Sequence, residues 1–447
     1  MNTTEPSAIT WAGLTRGLDT LRSSATVRTS AANALSNVVD YLAQPLLMIV
    51  AAPILVARLG FEQYGVWMLV MALAGGLGVF GFGFSEATVR YVSKFRGLGN
   101  DSRAQKVIQV SLAVTMLLSL LPAAGLVLAA PLLAERVFRI PGELQAAAIH
   151  AIRAGGALLL VRCVELVLVS ALRGSERYAL AVRTSLAVKI STVGVAVFLA
   201  VAGKSVALIV MASVVIASIG VFFQALSVRR VIPGVIVAPK FDRTIWSEIK
   251  SFGMYSWLQS LGSTLFSHAD RLVIGAVLGV GPLAYYTLCV QLVQPIHGLA
   301  SAAFNFLFPR MSALMGEKDT LRRKNAYRLA LMTNLALVGL LSVPLLVMGR
   351  PLLRMWMGAE FASQATGVLN LLILAFAILS INVVPHYALM AAGKARFLAI
   401  VNALGGILSI AGALLLMPVF GISGAALSRS LHGLVVSLNF AEVRKAS

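Results

Sequence analysis

Apolar residues in this chain come in long unbroken runs separated by short polar segments, with neither the alternation of a half-buried strand nor the one-sided stripe of a surface helix. A helix that spans a bilayer needs about 20 mostly apolar residues. That rule predicts twelve spans, at roughly 33–57, 64–86, 107–130, 147–172, 179–201, 205–227, 251–277, 284–308, 327–349, 367–391, 396–418 and 421–440. Pro45, Pro53, the Gly75–Gly83 run, Pro122, Pro295 and Pro385 fall inside these spans. They are acceptable there because neighbouring helices can satisfy the backbone groups they free.

The pattern repeats. Gly174, Arg177 and Tyr178 correspond to Gly393, Arg396 and Phe397, each 219 residues on, and Leu59-Gly60 corresponds to Leu278-Gly279 at the same spacing. Arg90 and Arg310 are 220 apart, and Gly203 and Gly421 are 218 apart. A fixed period marks two copies of one structural unit. The predicted organisation is a tail at 1–32, a six-helix lobe at 33–227, a linker at 228–250, a second six-helix lobe at 251–440 and a tail at 441–447. An even number of helices per copy makes the repeats parallel, about an axis along the membrane normal, with a central cavity between them. The expected fold class is an all-α membrane protein.

Composition agrees: 59% of residues are hydrophobic and 12% charged, so the chain cannot cover itself with a polar surface. The net charge of +20 lies in short loops between apolar runs, which argues for membrane topology and against nucleic acid as a partner. With both termini in the cytoplasm the inner segments hold 24 Lys and Arg and the outer loops 6. That asymmetry sets the predicted orientation. Cys163 and Cys289 lie in apolar runs and form no disulfide framework or metal cluster, and the polar first 32 residues do not read as a signal peptide.

Charges inside the spans are the candidate chemistry, because each costs about 2.5–3.5 kcal/mol at mid-bilayer on insertion scales. Seven are basic (Arg153, Arg162, Arg183, Lys189, Arg271, Arg328, Arg429) and four acidic (Asp40, Glu86, Glu165, Asp270). Arg183, Arg328 and Glu86 lie near span ends, where long side chains reach water. The basic excess suits an anion, and guanidinium groups match phosphate oxygens. Arg271, Lys189 and Arg162 lead as headgroup ligands, with Arg153 and Arg429 behind them. Arg162 and Glu165, one turn apart, can equally neutralise each other. Asp40, Glu165 and Asp270 are the candidates for ion coupling. His268 and His297 are candidate polar residues of the cavity, although a histidine on an apolar helix is more often a packing residue. Basic residues at the inner mouth, among them Arg90, Lys94, Arg173 and Arg310, are explained first by topology and anionic headgroups. No metal motif, nucleophile triad or phosphate-binding loop is present, so neither an enzyme nor a cofactor is expected.

The segments ARLGFEQYGVWMLVMALAGGLGVFGFGFSEATVRYV, RGSERY, DRLVIGAVLGVGPLAYYTL, LFPRMSAL and FGISGAALS resemble, in order and spacing, the bacterial polysaccharide-export flippases of the multidrug/oligosaccharidyl-lipid/polysaccharide exporter superfamily. The resemblance implies a two-lobed bundle of twelve helices working by alternating access on an undecaprenyl-pyrophosphate-linked oligosaccharide, drawing on an ion gradient. Asp40 is the nearest counterpart to the family's acidic residues. A polysaccharide polymerase or export machinery would be the partners. The main alternative is a cation-coupled multidrug antiporter of the same superfamily, whose cleft should carry surplus carboxylates. A sugar facilitator lacks its loop signature in GLGNDSRAQ, and a glycosyltransferase scaffold would need acidic loop motifs.

Overall fold

The computed structural model describes residues 25–232, 234–316 and 320–446, and every regular element among them is helical. Lipid supplies no partner for backbone N–H and C=O groups, so a spanning segment must satisfy them within itself. Helix α1 (Ala25–Leu77) is broken at Gly60 into two arms, and α2 (Val79–Gly97) extends the second. Next come α3 (Asp101–Leu132), closed by a π turn at Leu133–Val137, then α4 (Gly142–Gly174), α5 (Tyr178–Val201) and α6 (Val206–Val231). The second half of the chain holds α7 (Arg243–Val277), α8 (Val280–Phe304), α9 (Leu307–Gly316), α10 (Thr320–Met357), α11 (Ala359–Ile381), α12 (Val383–Ala391), α13 (Ala395–Val436, broken at Gly421) and α14 (Leu438–Ala446).

Eight helical segments among the described residues are long and apolar enough to cross a membrane. The first and last contain two arms each, joined at Gly60 and Gly421. With α7 and α8, of 35 and 25 residues, they bring the passes to twelve. Each predicted run falls on one helix or on two in direct succession. The protein is an all-α, multi-pass membrane protein.

The helices overrun the apolar segments. Among the described residues of the predicted 228–250 linker, only 232 and 234–242 lie outside helix. The cause is a cap: Asp242 accepts from the backbone N–H groups of Thr244 and Ile245 at 3.0 and 3.1 Å, opening α7 early. Lys106 lies 2.9 Å from the same carboxylate and, together with the Ile245 N–H, holds its pKa below the usual range. Ile245 and Ile249 then pack into a core with Phe84, Val92 and Phe95.

Four turns rest on one backbone conformation. Gly60 (φ 77°, ψ 165°) and Gly279 (φ 90°, ψ −178°), the pair 219 residues apart, share it with Gly358, and Gly421 is close to it. Side chains other than hydrogen are essentially excluded from this region, so one residue can reverse the chain. These turns lie on the face opposite the chain ends, here the turn face; the other is the tail face. The halves meet mainly through α1 and α2 against α7 and α8. The approach is closest at Gly65, where a Cβ would lie 1.9 Å from the Val280 carbonyl oxygen. Small residues allow such backbone contact between membrane helices.

Two prolines are satisfied from neighbouring helices. Pro53 has no N–H for the carbonyl of Ile49, and the Trp356 indole N–H donates to that oxygen at 2.7 Å. Pro385 likewise frees the Ile381 carbonyl, to which Asn334 donates at 3.3 Å. Replacing Trp356 with Phe keeps the ring and leaves the Ile49 carbonyl without its donor, at an expected cost of about 1–3 kcal/mol. Thermal unfolding of the detergent-purified variant checks this; an unchanged transition would mean the bond contributes nothing.

Candidate functional site

Seven of the eleven charges read inside the spans gather into three groups. In the first, Asp40 of α1 accepts from Lys189 of α5 at 2.6 Å through Oδ1 and again through its backbone carbonyl. Ser185 donates to Oδ1 at 2.8 Å, and Arg173, from the last turn of α4, lies 3.5 Å from Oδ2. One carboxylate therefore faces two cations. Arg173, expected at the mouth among lipid headgroups, is a member of this cluster.

In the second group Arg162 and Glu165 pair at 2.5 Å on α4, and Gln224 of α6 donates to Glu165 at 3.3 Å. The pair is neutral. Arg162 is 39% exposed and Glu165 10%, so the acid is the buried partner.

The third group lies in the second half of the chain. Asp270 of α7 pairs with Arg429 of α13, the two being 15% and 14% exposed, and Tyr286 of α8 donates to the same carboxylate oxygen at 2.8 Å. Arg429 also lies 4.9 Å from the centroid of the Phe376 ring, a cation–π contact. Arg271 gives only its backbone N–H to Asp270, at 2.8 Å. Its buried Nε has no hydrogen-bond partner, and no carboxylate lies within ion-pair distance of its guanidinium among the described residues. Close by, Gln291 donates to the Tyr64 hydroxyl at 3.0 Å, joining α8 to α1.

Depth follows from helix rise. At roughly 1.5 Å per residue, Arg271 and Arg429 lie about 12 Å along their helices from the turns at Gly279 and Gly421, and Asp40 about 30 Å from Gly60. The Asp270 cluster is thus near mid-membrane, in a core of about 30 Å, and the Asp40 cluster toward the tail face. Next to Asp40, the Tyr41 ring occupies the space beside Gly298 of α8, and the neighbouring His297 lies 3.4 Å from Ser301.

The other expected residues are placed differently. Arg153 and Arg310 are exposed, with no ion pair among the described residues. Arg90 stacks over Phe252 at 4.4 Å, and Lys94 lies 5.5 Å from the Phe95 ring, so both cover aromatic surface at the tail-face end of α2. His268 fills the space against Gly75, as a packing residue would. What sequence reasoning missed is an aromatic stack at the turn face. Phe61, Tyr285 and Phe361 stack with centroids 4.4 Å (Phe61–Tyr285) and 5.2 Å (Tyr285–Phe361) apart, and Trp356 meets Phe361 edge-on at 6.3 Å. The only signal was the repeated Leu-Gly turn followed by aromatics. Phe61 comes from the first half of the chain and the others from the second, so the stack joins the two.

Arg429→Ala strands Asp270 in a buried site with two neutral donors, the Tyr286 hydroxyl and the Arg271 N–H, so about 3–5 kcal/mol of stability should be lost. Adding Asp270→Asn should recover much of it, because the uncompensated charge is then gone. A double-mutant cycle on the purified protein measures the coupling; purely additive losses would contradict the pairing.

Comparison with known proteins places this geometry. The model of the family described as polysaccharide biosynthesis protein matches residues 54–366, more than half of the chain. A Shigella flexneri protein, provisionally named an O-antigen transporter, is 22% identical over 419 residues, covering 91% of this chain and 95% of its own. Two solved structures share the fold at 15% identity, each with a TM-score of 0.73 over 92% of this chain. One is an inward-facing multidrug resistance MATE transporter of the MOP superfamily, covered over 98% of its length, and the other the lipid II flippase MurJ in an inward closed conformation, covered over 87%. The chain belongs to the polysaccharide biosynthesis protein family and is built on the fold of the MOP superfamily transporters.

Proposed function

We propose that this protein is a flippase that carries an undecaprenyl-pyrophosphate-linked oligosaccharide across the bacterial inner membrane by alternating access. The observation that carries the reading is the charge balance of the buried clusters. Asp40 is shared by Lys189 and Arg173, and Asp270 is held by Arg429 while Arg271 beside it keeps an unneutralised guanidinium. Each cluster is left with one net positive charge, and the Asp270 cluster carries it near mid-membrane, where charge is costly. Such a surplus persists where a mobile anion completes it, and a diphosphate offers paired oxygens to guanidinium donors.

Access from the tail face, read as cytoplasmic from the charge asymmetry, is supported by the aromatic stack on the opposite side. The lipid-linked cargo would enter with its headgroup at the Asp40 cluster and move inward to Arg271, while its polyprenyl tail stays in lipid. Opening of the Phe61–Tyr285–Phe361 stack, with the six-helix halves rocking about α1–α8 and α2–α7, would release it outside. Asp40 and Asp270 are the groups whose protonation could couple an ion gradient to this motion, because each holds a cation that protonation would free.

The antiporter reading shares the fold, and the MATE likeness is as strong as the MurJ one. It wants a carboxylate available to a cationic compound. Asp40, Glu165 and Asp270 are each engaged by an arginine or lysine, which favours the anion.

The test is a strain lacking this gene, complemented with variants and assayed for surface polysaccharide and for lipid-linked repeat units inside the cell. Arg271→Gln should cut surface polymer about tenfold or more, given roughly 1.5–3 kcal/mol for a charge-assisted hydrogen bond, with normal protein in the membrane. The neutral-for-neutral double change Arg162→Gln/Glu165→Gln should keep most of the output. Normal polymer from Arg271→Gln would overturn the assignment.

A further inference from the structure

A cavity of about 230 Å³, sharing no lining residue with the charge clusters, lies at the tail face where α10 begins and α12 and α14 end. Its floor is apolar, built from Leu331, Leu389, Phe440 and Val443, and Arg323, Lys324 and Arg444 stand among the lining residues. Basic residues at this face follow from topology alone. An apolar hollow alone would be loose packing. Their coincidence is what points to a ligand: three cations from two elements far apart in sequence gather at one hollow with oily walls.

We propose that this hollow binds an acidic phospholipid from the adjoining leaflet, its phosphate at Arg323, Lys324 and Arg444 and part of an acyl chain on the floor. Size limits the alternatives. At about 30 Å³ per water the volume equals roughly eight waters, enough for a length of acyl chain. A helix, about 10–12 Å across with its side chains, does not fit. A soluble anion would use the cations and leave the floor idle, and a zwitterionic lipid would bring its own cation to the basic rim. The lipid would bridge the start of α10 to α14. The inference does not depend on which cargo the protein carries.

The experiment is native mass spectrometry of the full-length protein, titrated with phosphatidylglycerol, with phosphatidylcholine, and with phosphatidylglycerol plus inorganic phosphate. Phosphatidylglycerol should bind at least about tenfold tighter than phosphatidylcholine, and inorganic phosphate should not displace it. Each basic residue near an anionic headgroup supplies about a fivefold factor, so Arg323→Gln/Lys324→Gln/Arg444→Gln should weaken binding on the order of a hundredfold. A charge-matched control away from the hollow, Arg229→Gln/Arg230→Gln/Arg243→Gln, should leave it unchanged. Should the triple variant fail to fold, Arg444→Gln alone should weaken binding about fivefold and Ala392→Leu, which fills the hollow, should also weaken it. Equal affinity for the two lipids, displacement by phosphate, or an equal loss in the control would each overturn the proposal.

Discussion

A charged side chain inside a bilayer must find an opposite charge, a hydrogen-bond donor or water, and the interior of this protein is arranged around that requirement. Asp40 and Asp270 each draw side chains from distant helices onto one carboxylate, Lys189 and Arg173 in the first case, Arg429 and Tyr286 in the second. These contacts tie α1 to α4 and α5, and α7 to α8 and α13, at depths where apolar packing gives little orientation. Lipid tails are as apolar as leucine, so helix association in the membrane depends on close fit and polar contact instead.

The same requirement governs the backbone. Prolines break the ladder of α1 and α12, and Trp356 and Asn334 supply the missing donors from other helices. At the turn face Trp356 also joins the aromatic group that includes Phe61, Tyr285 and Phe361. One side chain thus satisfies a freed carbonyl in the first half of the chain and packs against the stack in the second.

The helices were legible in the sequence because the signal is local: about 20 apolar residues in a row leave a chain in lipid no other choice. The Arg162–Glu165 pair was legible for the same reason, being one turn apart. Asp40 with Lys189 and Asp270 with Arg429 were not, since 149 and 159 residues separate the partners. The excess of basic residues could be counted, but which of them stay unpaired depends on tertiary placement. Lys189 and Arg162 ranked beside Arg271 by depth alone, and each is held by a carboxylate. Arg173 was read at the mouth from topology and anionic headgroups, and its approach to Asp40 of α1 is a tertiary contact that no local pattern carries. The stack was hidden for another reason: stacking aromatics look like ordinary membrane residues until the Gly60 and Gly279 turns bring them together.

The central claim is that the interior is finished by an anion rather than a cation. Binding of undecaprenyl pyrophosphate to the purified protein, in competition with undecaprenol and with ethidium, tests it most directly. The account predicts saturable binding of the pyrophosphate lipid that neither competitor displaces. Saturable binding of ethidium, with none of the pyrophosphate lipid, would contradict it.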